Sequence, residues 1–136
     1  MSTPTVLFLC THNAGRSQMA LGFFTALAGG EAIGYSGGSE PASEINAAAV
    51  AAMAEKGIDI TGQQPQRWTD AMLHQADVVV TMGCGDTCPY VPGRRYADWP
   101  LADPAGQPLE AVRPVRDEIE QRVRQLLGEL GVQPAE

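Results

Sequence analysis

The sequence predicts an α/β fold, a mostly parallel sheet layered with helices, and three observations carry that reading. Two continuous apolar runs of strand length, TVLFLC at Thr5–Cys10 and the VVV-centred DVVVTM at Asp77–Met82, read as strands covered on both faces. Segments with apolar residues at helical spacing alternate with the strand candidates. The chain has 136 residues and no internal repeat, low-complexity tract or linker, which suits one domain over 1–136 with a single core.

The elements follow in order. After Thr5–Cys10, Ser17–Ala28 puts Met19, Ala20, Phe23, Phe24, Leu27 and Ala28 on one helical stripe, and Gly29-Gly30 stops it. Ala32–Ser36 is a shorter strand candidate, followed by the turn GGSEP. Asn46 can cap an alanine-rich helix that carries Val50 and Met53 and ends at Gly57. Thr69 and Asp70 start a brief helix through Leu73. The β-branched run Asp77–Met82 is the second central strand, and Arg95–Trp99 is read as the last one. The final helix takes Pro114 into its first turn and repeats Val115, Ile119, Val123, Leu126, Leu127 and Leu130 until Gly131. Such strand–helix alternation implies right-handed crossovers and ligand sites at the carboxyl ends of the strands. Cys10 ends the first strand, and the loop with Cys84 and Cys88 follows the second strong one, which predicts one rim for all three thiols.

Composition narrows the function. Apolar content of 44% and charged content of 18% are ordinary for a soluble globular protein. No run approaches the ~20 apolar residues of a membrane span. The start MSTPTVLFLC lacks the basic n-region of a signal peptide, so a cytoplasmic location is expected. A net charge of −7 and no basic cluster larger than Arg94-Arg95 argue against a nucleic-acid surface. An anionic substrate must then be captured by a local device against the global field. Cys10, Cys84 and Cys88 are too few, and odd in number, for a disulfide framework. In a reducing compartment they read as buried hydrophobes or reactive thiols.

That local device is legible between the first strand and the first helix, where Cys10 and Arg16 form C-x5-R. A loop this tight, made of Thr11, His12, Asn13, Ala14 and Gly15, turns backbone N–H groups inward as an anion nest. The helix N-terminus adds partial positive charge, and Arg16 closes the far side with a planar fork suited to two oxygens of a tetrahedral anion. Gly15 and the small Ala14 let the backbone approach closely. The same dipoles favour a thiolate, making Cys10 the expected nucleophile, with Ser17 donating to the sulfur and Asn13 bracing the loop. The alternative is a core cysteine beside a solvated arginine; the strand–loop–helix context and the adjoining Ser17 argue against it. His12 is read as a rim side chain or a tuner of the thiolate, and His74 as a surface residue. Trp68, Trp99, Tyr35 and Tyr90 are read as packing in the core or at the rim.

VLFLCTHNAGRSQMA at the N-terminus, YSGGSEP at 35–41, GIDITG at 57–62, ADVVVTM at 76–82 and the pair Asp103-Pro104 resemble the low-molecular-weight protein tyrosine phosphatase family. The resemblance runs along almost the whole chain, and RSQMA with the later cysteine pair points to its arsenate reductase branch. It implies a three-layer sandwich with a four-stranded central sheet and helices on both faces. It also implies that Asp103 acts as general acid on a departing oxygen, on a loop stiffened by Pro104. Ala105 and Gly106 follow, where the phosphatases of the family tend to carry aromatic residues, which favours a small inorganic anion.

Cys84 and Cys88, four apart in GCGDTCP, match a metal pair in spacing, but no second pair accompanies them. The spacing also suits a reversible disulfide, since i and i+4 of a helical turn lie ~6 Å apart. By resemblance, Cys10 attacks arsenate, Cys84 acts second and Cys88 third, and thioredoxin reduces the resulting disulfide. No tightly bound cofactor or metal is expected, and phosphate or sulfate would mimic the substrate. Two departures stand out. The C-x3-C gap is narrower than in thioredoxin-linked relatives, which leaves a mycothiol and mycoredoxin route open with Cys84 and Cys88 as spectators. Leu21 stands where several relatives carry a glutamate associated with potassium, which argues against potassium dependence. A monomer is expected. The other readings are a phosphomonoesterase and a non-catalytic oxyanion-binding redox sensor.

Overall fold

The computed structural model describes residues 3–82, 95–99, 101 and 106–133. Its elements are β1 (Thr5–Cys10), α1 (Arg16–Ala28), β2 (Ile33–Gly38), α2 (Ala47–Ala54), α3 (Asp70–Gln75), β3 (Val78–Thr81), β4 (Arg95–Asp98) and α4 (Leu109–Glu129). The strands form one sheet in the order β2-β1-β3-β4, with every pairing parallel.

The unbroken apolar run of β1 has a direct cause in this architecture, because both faces of the strand are covered. Val6, Phe8 and Cys10 join the core built by α1, α2 and α4, whereas Leu7 and Leu9 cluster with Leu73 of α3, Ala76 just after it and Val79 of β3. Helices on both faces of the sheet make three layers. Each large side chain removed from water on β1 contributes about 1.5–3 kcal/mol. Phe8 is also flanked by aromatic rings, with Phe24 edge-on at 5.5 Å and Trp99 tilted at 5.9 Å between centroids. The stripe expected on α1 is buried as read. Among the described residues, no helix is long and apolar enough to cross a membrane.

Helix ends follow local chemistry. Gly29 adopts φ 59° and stops α1. The Asn46 side chain accepts from Ala49 N at the start of α2, and the Thr69 side chain accepts from Met72 N at the start of α3. Helix α3 runs to Gln75, two residues past the expected end.

Two of the boundaries that differ from expectation have clear physical reasons. Gly37 and Gly38, read as part of a turn, are the last residues of β2 and pair with Leu9 and Cys10. A Cβ on Gly37 would lie 2.9 Å from the Trp68 backbone, and one on Gly38 would lie 2.6 Å from Thr11 O. The glycines serve close backbone approach within a strand, not reversal of the chain. Helix α4 begins at Leu109, so Pro114 sits inside the helix rather than in its first turn. Burial of Val112, which is fully inaccessible, extends the helix past the break that proline imposes on the hydrogen-bond ladder.

The topology selects the site. β1 passes through α1 to β2 on one side, while β3 lies on the other, so strand order reverses at the carboxyl end of β1. That end is Cys10.

Candidate active site

Residues 11–15 connect β1 to α1, and every carbonyl of this loop is engaged by a donor. Thr11 O accepts from Glu40 N at 2.8 Å, His12 O from Ala42 N at 2.9 Å and Ala14 O from Asn46 N at 2.8 Å. Asn13 O accepts from Gln18 Nε2 at 2.8 Å, and Gly15 O from Met19 N at 2.9 Å. In a planar trans peptide the following N–H points opposite to the carbonyl, and there are no cis bonds among the described residues. The amides of residues 12–16 therefore face away from those partners. His12, Ala14, Gly15 and Arg16, with Cys10, line a cavity of ≈ 510 Å³. Gly15, the N-cap of α1, has no side chain of its own to compete for the positive end of the helix.

Cys10 is 3% exposed, and its Sγ lies 2.9 Å from Ser17 Oγ. Asn13 sets the polarity of that contact. Its Oδ1 accepts from the backbone N of Gln66 at 2.9 Å, which fixes the amide orientation because a peptide N–H only donates. Asn13 Nδ2 consequently donates to Ser17 Oγ at 2.7 Å, and the Ser17 hydroxyl keeps its own proton to donate to a Cys10 thiolate. Asn13 also bears φ 50°, a left-handed backbone that asparagine tolerates better than most residues. The fully buried side chain and the unusual turn thus support each other.

Arg16 is 7% exposed, borders the cavity and donates through Nη1 to Leu101 O at 3.2 Å. His12 is exposed, and its Nδ1 donates to Glu40 O at 3.0 Å, since a carbonyl can only accept. The opposite wall is made by Ala42, Ile45, Ala47 and Ala48, with Glu44, Gly106 and Gln107 completing the rim. A small, partly cationic pocket with a thiol at its floor suits a tetrahedral oxyanion attacked by sulfur.

The structure therefore brings Cys10, His12, Ala14, Gly15 and Arg16 around one cavity and sets Asn13 and Ser17 behind the loop. Thr11, half-buried, anchors the loop through its carbonyl to Glu40 N. Asp103, Cys84 and Cys88, together with Pro104, Ala105 and Tyr90, lie outside the described residues. Tyr35 and Trp68 pack on the α3 side and Trp99 in the main core, none of them on the cavity. His74 is exposed at the last turn of α3. The residues that sequence reading missed are Gln18, Gln63, Gln66 and Gly38, which hold the loop from behind. A glutamine inside an apolar helical stripe and the run GQQPQ were the available signals.

Comparison with known proteins agrees with this geometry. The sequence profile described as low molecular weight phosphotyrosine protein phosphatase matches residues 5–135. A glutaredoxin arsenate reductase from Synechocystis sp. is 39% identical over 128 residues, covering 92% of this chain and 97% of the relative. The structure of a Corynebacterium glutamicum thioredoxin-dependent arsenate reductase aligns with a TM-score of 0.82 at 39% identity over 95% of this chain. This chain spans only 62% of that neighbour's length. An arsenate reductase in the phosphate binding state aligns with a TM-score of 0.81 at 36% identity, covering 93% of this chain and 98% of the neighbour. By the extent of the profile match, and by a cysteine–arginine loop at the carboxyl end of β1, the chain belongs to the low molecular weight phosphotyrosine protein phosphatase family.

Proposed function

We propose that the chain is an arsenate reductase of the cytoplasm, acting as a monomer, with Cys10 as nucleophile. The observation that carries this reading is the Cys10 sulfur at the floor of the oxyanion cavity, paired with Ser17 and bordered by Arg16. The Cys10 thiolate attacks the arsenic of bound arsenate, and the departing oxygen leaves as water after protonation by Asp103. Leu101 and Gly106, which bracket Asp103 in sequence, both reach the site, one through its carbonyl on Arg16 and the other at the rim. A second thiol then attacks the Cys10 sulfur. The S–As electron pair stays on arsenic, which leaves as arsenite, and the two sulfurs are oxidised to a disulfide. Cys84 is that thiol in this proposal, and Cys88 then attacks Cys84 to free Cys10 and leave a Cys84–Cys88 disulfide for thioredoxin to reduce.

The reductase reading is favoured over phosphate-ester hydrolysis by the thiol pair in GCGDTCP and by the relatives named above. The test is arsenite production with thioredoxin, glutaredoxin or mycothiol–mycoredoxin as reductant, against p-nitrophenyl phosphate turnover. Arsenite formation should be sustained by thioredoxin and fall to background in Cys10→Ser, with a Cys84–Cys88 disulfide found by mass spectrometry after one turnover. Phosphate-ester turnover without arsenate reduction under any thiol system would overturn the reductase reading. Anion binding without either activity would instead identify an oxyanion-binding sensor. Full activity after loss of both Cys84 and Cys88 would move the second step to an external thiol such as mycothiol.

A further inference from the structure

Behind the cavity, amide side chains form a line of hydrogen bonds that ends on the Cys10 sulfur. Gln63 Nε2 donates to Gln18 Oε1 at 2.7 Å, and Gln18 Nε2 donates to Asn13 Oδ1 at 3.0 Å. Asn13 Nδ2 donates to Ser17 Oγ at 2.7 Å, and Ser17 Oγ lies 2.9 Å from Cys10 Sγ.

Backbone groups fix the direction of each link. Gln63 Nε2 also donates to the Gln18 carbonyl at 3.1 Å, so its nitrogen must face Gln18. Gln18 Nε2 shares its two N–H groups among Asn13 Oδ1 and the carbonyls of Asn13 at 2.8 Å and Gln64 at 3.1 Å, so its oxygen must face Gln63. Asn13 is oriented by the Gln66 N–H as described. Reversing any amide would set oxygen against a carbonyl or nitrogen against an N–H. All donors therefore run one way, from Gln63 at the outer end to the sulfur.

We propose that Gln18 and Gln63 are positioning residues whose one-way amide line strengthens the Ser17 hydrogen bond to the Cys10 thiolate. Aligned bonds polarise one another, by about 10–30% per bond in condensed-phase estimates, and the effect is larger where water is excluded. Gln18 is fully buried, as are Asn13 and Ser17, so the line runs through an interior where its dipoles are weakly screened. Gln63 is only half-buried and borders a second cavity of ≈ 470 Å³ with Thr61, Gln64 and Pro65. Its side chain is thus replaceable without opening the core. The inference rests on Cys10 being the nucleophile, but not on arsenate being the substrate.

The experiment is the pH profile of Cys10 alkylation by iodoacetamide, quantified on the Cys10 peptide by mass spectrometry in the full chain. Gln63→Leu removes the first donor, and its profile should move to higher pH, with alkylation about threefold slower on the acid limb. Gln63→Lys keeps a donor and adds positive charge, and its profile should return to the parent position or move to lower pH. A Gln63→Leu profile that coincides with the parent overturns the proposal, as does a shift of both variants in the same upward direction. Circular dichroism and thermal unfolding of each variant verify that native folded chains are compared. The alkylation readout keeps this outcome separate from that of the arsenate assay.

Discussion

Gly38 holds the nucleophile loop by having no side chain. A Cβ there would stand 2.6 Å from Thr11 O, 2.9 Å from Cys10 O and 3.1 Å from Asn13 N, all backbone atoms of the loop or of the strand end that feeds it. No rotamer change relieves such contacts, so Gly38→Ala must displace the loop itself. The expected cost is about 1–3 kcal/mol of stability, as for other overpacked sites. A loop displacement near 1 Å should lower kcat/KM for arsenate by about 100-fold. Gly62, where a Cβ meets nothing within 4 Å, supplies the control, and Gly62→Ala should match the parent in both measurements. Urea unfolding and steady-state kinetics on the two variants check the pair of outcomes. The same residues mark the limit of sequence reading at this scale. The bracing role of Asn13 was legible because a C-x5-R loop needs an unusual turn that asparagine can adopt. The roles of Gly37 and Gly38 were not, since they depend on Trp68 and Thr11 arriving from distant parts of the chain. Gln18 was hidden for a similar reason, because its partners Asn13, Gln63 and Gln64 meet it only after folding.

At the scale of elements, one wall of the cavity depends on a clamp between two helices. Ala47 and Ala48 at the start of α2 line the cavity, and the far end of α2 is held by α4. Arg116, only 7% exposed on the buried stripe of α4, donates to Ala52 O at 3.0 Å and to Glu55 Oε1 at 2.5 Å. Arg113 grips Glu55 as well, with Nη2 at 2.6 Å from Oε2. Hydrogen bonds from Arg113 and then Arg116 hold the Glu55 carboxyl down at about 2, from an ordinary value of 4.5. Because the folded-state value is the lower one, the contribution of Glu55 to stability is complete above 4.5 and is lost as pH falls toward about 2. The gap in urea midpoint between the parent and Glu55→Gln should therefore be steady near neutrality and shrink progressively below 4.5. A gap independent of pH over that range would show that the clamp acts by shape rather than charge. Hydrophobic spacing made α4 plain from Val115 onward. Its first residues escaped because Pro114 resembles a helix start, whereas Val112 is buried by contacts no local pattern reveals.

For the whole molecule, the balance lies between a repulsive global field and an attractive local one. The chain carries a net charge of −7, yet its cavity collects the N-terminus of α1 and a nearly buried arginine. The reversal of strand order beside β1 puts those groups at one point, and long-range repulsion is screened by salt more readily than the short-range contacts of a partly enclosed site. An anion that binds only the folded chain must stabilise it by linkage. At inorganic phosphate about tenfold above its Kd, the gain is about 1.4 kcal/mol. For a chain of this size that raises Tm by about 5 °C. Differential scanning fluorimetry across a phosphate titration should show this rise in the parent and retain most of it in Cys10→Ser, where the cradle survives the loss of sulfur. Arg16→Ala should lose most of the rise, because no other described side chain on the cavity brings a guanidinium to the anion. Chloride at matched ionic strength separates specific capture from screening. A rise equal in chloride and phosphate, or undiminished in Arg16→Ala, would show that the molecule responds to bulk salt and that its cavity does not hold a tetrahedral anion.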